Sequence, residues 1–144
     1  MKKQAFGILT MFSLLLVLTA VSVNAQSKRS SINIPFSFNV GQKTLPAGEY
    51  TVEPIRKDSL NVWLVENRSG HASALFTTIA VWVNETREET RLVFNKYDGQ
   101  YFLSQIWKSG DNSGRELQIP RVERQLAKKG IQREKVIVTR GAGE

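Results

Sequence analysis

Residues 31–40, SINIPFSFNV, alternate apolar and polar side chains without a break. A period of two residues is typical of a strand that buries one face. Pro35 has no N–H to donate to a neighbouring strand, so the pattern predicts an edge strand or a bulge at this residue. The apolar positions share one parity and are expected to face the core: Ile32, Ile34, Phe36, Phe38 and Val40.

More strand-like runs follow at short spacings, with turn-forming residues and no helical pattern between them. Asp98-Gly99 separates the last two runs, and this dipeptide is a preferred two-residue hairpin turn because both central residues take a positive φ. Such an arrangement predicts an all-β fold, either an antiparallel sandwich or a small barrel of about six to seven strands. The predicted strands after the first are residues 49–55, 60–66, 74–84, 91–97 and 100–107.

The pattern changes after residue 108. Residues 109–114, SGDNSG, predict a flexible loop. A short C-terminal helix is predicted at about residues 119–129, with Pro120 in its first turn and Gly130 after its end. At 100° per residue the helix has a narrow apolar stripe that we expect to lie on the sheet, formed by Ile119, Val122 and Leu126.

The C-terminal tail, residues 131–144, is basic and contains one more strand-like run. Residues 135–140, KVIVTR, are a candidate last strand. The four residues that follow, GAGE, are expected to be disordered, as chain ends often are.

The first 25 residues have the layout of a secretory signal peptide. Lys2 and Lys3 precede a long apolar run, and the small residues of Val23-Asn24-Ala25 predict cleavage after Ala25. The apolar run is also long enough for an uncleaved membrane anchor, which is the alternative. The chain has no cysteine, and export without disulfides favours a bacterial periplasm or extracellular space. The β domain is then predicted to occupy residues 26–130.

Charge is concentrated at the C-terminal end. The formal net charge is +7, and residues 115–144 contribute eight basic and four acidic residues to it, whereas residues 26–114 are almost neutral. The basic side of the predicted helix would suit an anionic surface such as phospholipid or lipopolysaccharide. The alternative is that this basic side of the helix faces solvent and binds no partner. The basic residues on that side are Arg121, Arg124 and Lys128.

Candidate catalytic chemistry is sparse in the chain. His71 is the one histidine and has no cysteine or carboxylate cluster around it in sequence, so it is a poor metal ligand. Among Glu49, Glu53 and Glu66, no pair is singled out as a glycosidase-like acid and base. We therefore expect no enzymatic activity, no cofactor, no metal site and no nucleic-acid partner, with a hydrolase as a remote alternative.

Large aromatic residues occur on several predicted strands. In a lipocalin-like barrel they would line a cavity for a small apolar ligand. A filled core would use the same side chains, so both interpretations stay open. The candidate lining residues are Trp63, Phe76, Trp82, Phe94 and Trp107.

Two longer segments carry a resemblance to a known group of proteins. Residues 34–52, IPFSFNVGQKTLPAGEYTV, and residues 101–127, YFLSQIWKSGDNSGRELQIPRVERQLA, resemble an uncharacterised family of short exported β-rich proteins of environmental bacteria. The resemblance implies an envelope or extracellular β domain and assigns no catalytic residues.

These observations together predict an exported, non-enzymatic β domain with a structural or binding role in the bacterial envelope. The alternative is a carrier of a small apolar molecule. The partner is expected to be an envelope component or such a molecule. A further hypothesis is self-association through the edge strand Ser31–Val40, as when a strand is donated to another subunit.

Overall fold

The computed structural model describes residues 31–140, so the predicted signal peptide and the last four residues lie outside the part of the chain described below. This part is mostly strand and has one short helix near its C-terminal end, as predicted. The strands are β1 (Ser31–Ile34), β2 (Phe38–Val40), β3 (Lys43–Leu45), β4 (Gly48–Arg56), β5 (Ser59–Asn67), β6 (Ser73–Trp82), β7 (Arg91–Tyr97), β8 (Gln100–Trp107), β9 (Ser113–Leu117) and β10 (Glu134–Thr139), and the helix is α1 (Arg121–Lys128).

All ten of these strands belong to one mixed sheet. Its main order is β1-β4-β5-β6-β9-β8-β2-β3, while β7 pairs with the other edge of β8 and β10 pairs with β7. The pairing of β2 with β8 is parallel, and the remaining pairs are antiparallel. The sheet curls until β1 and β10 touch, but these two strands do not pair. The predicted all-β class is confirmed, whereas the barrel, one of its two predicted forms, is wrong because the sheet is open.

Residues 31–40 form two short strands instead of the single predicted one. Pro35 follows the last residue of β1, and the chain then crosses from β4 to β8 before β2 begins. Phe36, in the crossing, stacks on the ring of Tyr101 with 3.8 Å between ring centroids. The predicted buried parity is confirmed, because Ile32, Ile34, Phe38 and Val40 are all buried. Within residues 31–140, β1 pairs with β4 alone and is an edge strand.

The hairpin between β7 and β8 forms as predicted. Asp98 has a φ of 46° and Gly99 a φ of 78°, which are the two positive values that a type I′ turn requires. Tyr97 pairs with Gln100 directly across this turn.

Two short strands were not predicted. β3 pairs with β2, and β9 lies between β6 and β8, where a flexible loop was expected for its first residues. Gly114 in β9 lies directly against the indole of Trp107, and a Cβ at this position would come within 2.6 Å of the ring atom Cε3. The glycine therefore allows β9 to pair beside a bulky residue.

The core lies on the concave side of the curled sheet and is filled by large side chains. Phe38 makes edge-to-face contacts with Tyr50, at 5.1 Å, and with Phe94, at 5.5 Å. Burying an aliphatic or aromatic side chain of this size contributes about 1.5–3 kcal/mol to the free energy of folding. These ring contacts join β2, β4 and β7 within the core.

Candidate functional site

The five aromatic residues predicted to line a ligand cavity are not brought together. Trp63, Phe76 and Phe94 belong to the filled core, where Trp63 and Phe76 are directly opposite each other on β5 and β6. Trp82 lies at the end of β6 with 71% of its surface exposed. Trp107 is buried outside the main core cluster, between Gly114 and the guanidinium of Arg87, which lies 5.0 Å from the ring centroid.

Helix α1 packs against β7 with a different face from the one predicted. The side chain turned into the protein is that of Glu123, which is 2% exposed, while Leu126 is half-buried. Ile119 and Val122, two of the three residues of the predicted apolar stripe, are 51% and 47% exposed. The expected packing of the whole stripe on the sheet is therefore wrong, because of its three residues only Leu126 is turned toward the protein.

A polar contact to β7 accounts for this orientation. Asn95 lies on the outer side of β7 and is buried, and its Nδ2 donates a hydrogen bond to Oε1 of Glu123 at 2.7 Å. Burial raises the pKa of the Glu123 carboxyl, and hydrogen bonds from Asn95 and Tyr97 and the charge of Arg133 partly oppose that rise. Burial also raises the pKa of Tyr97, as does the nearby charge of Glu123. Glu123 thus anchors the helix by a buried hydrogen bond.

The local sequence places Glu123 in the first turn of α1. The helix begins after Pro120, whose extended backbone (φ −68°, ψ 160°) suits a residue just before a helix. It ends at Lys128, and Gly130, two residues later, has a φ of 77°. An acidic residue near a helix N-terminus is favourable for the helix dipole. Glu123 is the only acidic residue in α1.

The predicted basic residues of α1 share the solvent-facing side of the helix. Arg121, Arg124 and Lys128 are all exposed, and they lie beside the exposed Ile119 and Val122. Because the one acidic side chain of the helix is inside, the outer surface of α1 has basic and apolar residues together with Gln125. We call the set Ile119, Arg121, Val122, Arg124 and Lys128 the α1 face.

A second candidate site lies where the two ends of the curled sheet meet without pairing. We call it the seam cavity; it has a volume of about 350 Å³. One wall comes from β1 and β4, and the opposite wall from β7, β8 and the residues after β8 and β10. Its lining residues are Ser31, Ile32, Thr51, Val52, Glu53, Thr90, Leu92, Ile106, Lys108, Ser109 and Arg140.

The remaining candidate residues either make hydrogen bonds within the protein or are exposed. Glu49 accepts hydrogen bonds from Ser31 and from Arg68, and these two contacts lower the pKa of its carboxyl. His71 is exposed in the loop before β6. Within residues 31–140, no group of three or more histidine, cysteine, aspartate or glutamate residues is arranged to hold a metal ion. In the same residues no helix is long and apolar enough to cross a membrane.

Two residues of these sites were missed by the sequence analysis. Glu123 has the position of an ordinary first-turn acidic residue, and nothing in the sequence pairs it with Asn95, 28 residues earlier. Lys108 follows β8 in a polar loop, and its place at the seam depends on strands distant in sequence. The one available signal was Asn95 itself, a polar residue on the same side of β7 as Val93 and Tyr97.

The comparisons with known proteins find no matching family model, no matching curated protein and no matching solved structure. The resemblance of residues 34–52 and 101–127 to exported bacterial proteins therefore stays a prediction.

Proposed function

We propose that this protein is an exported, non-enzymatic β domain that binds the anionic phospholipid surface of a bacterial membrane through the α1 face. The observation that carries the proposal is the orientation of α1. Its one acidic side chain is buried, while Val122, its three cations and Ile119 just before the helix are exposed.

This orientation is the reverse of what a simply solvated helix would adopt. Burying a carboxyl group is costly unless it is hydrogen-bonded, whereas burying Ile119 and Val122 would be favourable. A helix with no outside partner would gain by turning its apolar stripe inward. The observed arrangement is instead suited to a partner that takes both apolar groups and positive charge.

A membrane interface supplies both kinds of contact. Each lysine or arginine close to an anionic leaflet contributes about 1 kcal/mol, so Arg121, Arg124 and Lys128 together would contribute about 3 kcal/mol. Ile119 and Val122 would enter the boundary between headgroups and acyl chains, as the apolar face of an interfacial helix does. The predicted signal peptide supports a location in which the protein meets such a surface outside the cytoplasm.

The test is sedimentation of the purified protein with vesicles. We expect binding to vesicles of phosphatidylcholine containing 30% phosphatidylglycerol, weak binding to pure phosphatidylcholine, and a loss of affinity as salt is raised. The variant Arg121→Gln/Arg124→Gln/Lys128→Gln should bind the anionic vesicles at least tenfold more weakly. Ile119→Ser/Val122→Ser should also weaken binding, because it removes the apolar contact and keeps the charge.

The matched control changes the same number of charges elsewhere on the surface. Lys43, Arg56 and Lys57 are exposed residues of β3, β4 and the β4–β5 turn. Replacing all three by glutamine should leave most of the binding intact. Equal losses in the two triple variants would show that net charge alone attracts the protein, and the proposed role of the α1 face would be refuted.

A further inference from the structure

The seam cavity combines an apolar floor with a polar rim. Ile32, Leu92 and Ile106 are buried core residues that form part of its lining, and Val52 beside them is half-buried. The polar and charged residues of the lining are Ser31, Thr51, Glu53, Thr90, Lys108, Ser109 and Arg140.

One side of this rim is held in place by hydrogen bonds centred on Thr90. The backbone N–H of Arg140 donates to the carbonyl oxygen of Thr90 at 3.0 Å. The N–H of Ser109 donates to Oγ1 of Thr90 at 3.1 Å, and Oγ of Ser109 donates to the carbonyl oxygen of Glu88 at 2.7 Å. The residues after β8 and after β10 are thus fixed to one another, and the cavity is largely preformed, as ligand sites usually are.

Lys108 lines the seam cavity, and its ammonium group rests on Trp63 just outside the lining. Its Nζ lies 5.1 Å from the ring centroid of Trp63. Lys108 takes no part in the ion pairs Arg56–Asp58, Arg68–Glu49 and Lys96–Glu134 of the described residues. A cation–π contact at an exposed site is weaker than a hydrogen bond to a charged group. An incoming anion would therefore compete successfully with Trp63 for the ammonium group.

Lys108 and Ile106 also line a smaller cavity of about 110 Å³ on the other side of the Lys108 side chain, against Trp63 and Gly114. The Lys108 side chain therefore borders open space in both cavities, and its ammonium group has to turn from Trp63 toward the seam cavity to contact a ligand there.

The volume of the seam cavity limits the size of a ligand. One water molecule occupies about 30 Å³ of the liquid, and we take the same volume for each non-hydrogen atom of a ligand. A cavity of 350 Å³ then holds roughly a dozen such atoms. This is at the lower end of ligand pockets, which span about 300–1,000 Å³. A single medium-length chain with a small headgroup fits these dimensions.

We infer that the seam cavity binds a single-chain amphiphile with an anionic head, of the medium-chain carboxylate class. Its chain lies on Ile32, Leu92 and Ile106, and its carboxylate accepts hydrogen bonds from the Lys108 ammonium. The site shares no residue with the α1 face, so this inference does not depend on membrane binding.

The test is titration calorimetry of the purified protein with decanoate, below its micelle concentration and without vesicles. Decanol, which has the same chain and no charge, is the matched ligand. We expect decanoate to bind at least tenfold more tightly than decanol. Lys108→Gln should remove that difference by weakening decanoate binding at least tenfold, whereas Lys57→Gln, in the β4–β5 turn and outside the cavity lining, should bind decanoate as the unaltered protein does.

Three results would overturn the inference: no binding of decanoate at millimolar concentration, equal binding of decanoate and decanol, or equal affinities of the two lysine variants. The variant Arg121→Gln/Arg124→Gln/Lys128→Gln should keep its affinity for decanoate. A failure of the vesicle experiment would thus leave the decanoate result valid, and a failure of the decanoate titration would leave the vesicle result valid.

Discussion

Replacement of Glu123 by glutamine should make the protein more stable at neutral and alkaline pH. Asn95 Nδ2 already donates to Oε1 of Glu123, and a glutamine oxygen can accept the same hydrogen bond. Oδ1 of Asn95 is buried and has no hydrogen-bond partner within the described residues. The new amide N–H₂ group would be a donor next to this acceptor, where an ionised carboxylate offers none.

The expected gain follows from that acceptor and from burial of the charge. A buried polar atom without a partner costs about 1–3 kcal/mol, so supplying a donor should raise the free energy of unfolding by at least about 1 kcal/mol. The substitution also removes the cost of burying a negative charge, which is the largest cause of the raised pKa of Glu123. The loss of a charged acceptor for the hydrogen bonds from Asn95 and Tyr97, and of the attraction to Arg133, works in the opposite direction, but burial outweighs these contributions because the pKa of Glu123 is raised.

The pH dependence has a definite sign. Because the pKa of Glu123 is higher in the folded state than its ordinary value of 4.5, the folded state holds the proton more tightly. The contribution of this group to stability is therefore fully present below 4.5 and is lost as pH rises through the folded-state value. Glutamine cannot ionise, so the stability of Glu123→Gln should fall less between pH 4 and pH 8.

Urea unfolding followed by far-ultraviolet circular dichroism, at several pH values from 4 to 8, measures both effects. Glu123→Ala is the control, since it leaves Asn95 Nδ2 without its acceptor and should lower the free energy of unfolding by about 1–3 kcal/mol. A glutamine variant that is less stable than the unaltered protein at pH 8 would refute the reasoning. So would one whose stability follows the same pH dependence.

Two further changes test the fold. Gly114→Ala should lower the free energy of unfolding by about 1–3 kcal/mol, because its Cβ would meet the Trp107 ring at 2.6 Å. The same change in a Trp107→Leu background should lower the free energy of unfolding by less. Equal losses in the two backgrounds, measured by thermal unfolding, would contradict the close contact. Deleting residues 31–40 removes β1 and β2 with four buried core side chains, so we expect the cooperative unfolding transition to disappear. An intact fold that lost only its oligomers would instead support strand donation by this segment.

The strands that could be predicted from the sequence are those whose alternation is long enough to define a face. β4 to β8 have between seven and ten residues each, and the Asp98-Gly99 turn fixes the register of two of them. β3 and β9 have three and five residues, and the pattern of such short strands does not differ from that of a loop. Their pairing depends on partners that approach from elsewhere in the chain.

Less of the candidate sites than of the fold could be predicted from the sequence. Helix α1 was predicted at nearly the right residues, but its orientation was wrong because hydrophobicity favoured Ile119 and Val122 over Glu123. A tertiary hydrogen bond to Asn95 decides the orientation, and its two ends lie in different elements. The seam cavity is formed by segments from residue 31 to residue 140, so no local pattern describes it.

The parallel pairing of β2 with β8 has a consequence for the timing of folding as the chain is synthesised. Asn39 Nδ2 donates to the carbonyl oxygen of Tyr101, 62 residues later, so β2 can pair only after β8 has been synthesised. Contacts of such long sequence separation form slowly. Until they form, the first strands of the domain have exposed edges that could pair with another chain. The break at Pro35 divides this segment into strands of four and three residues, too short to seed such an association while their partners are still being delivered.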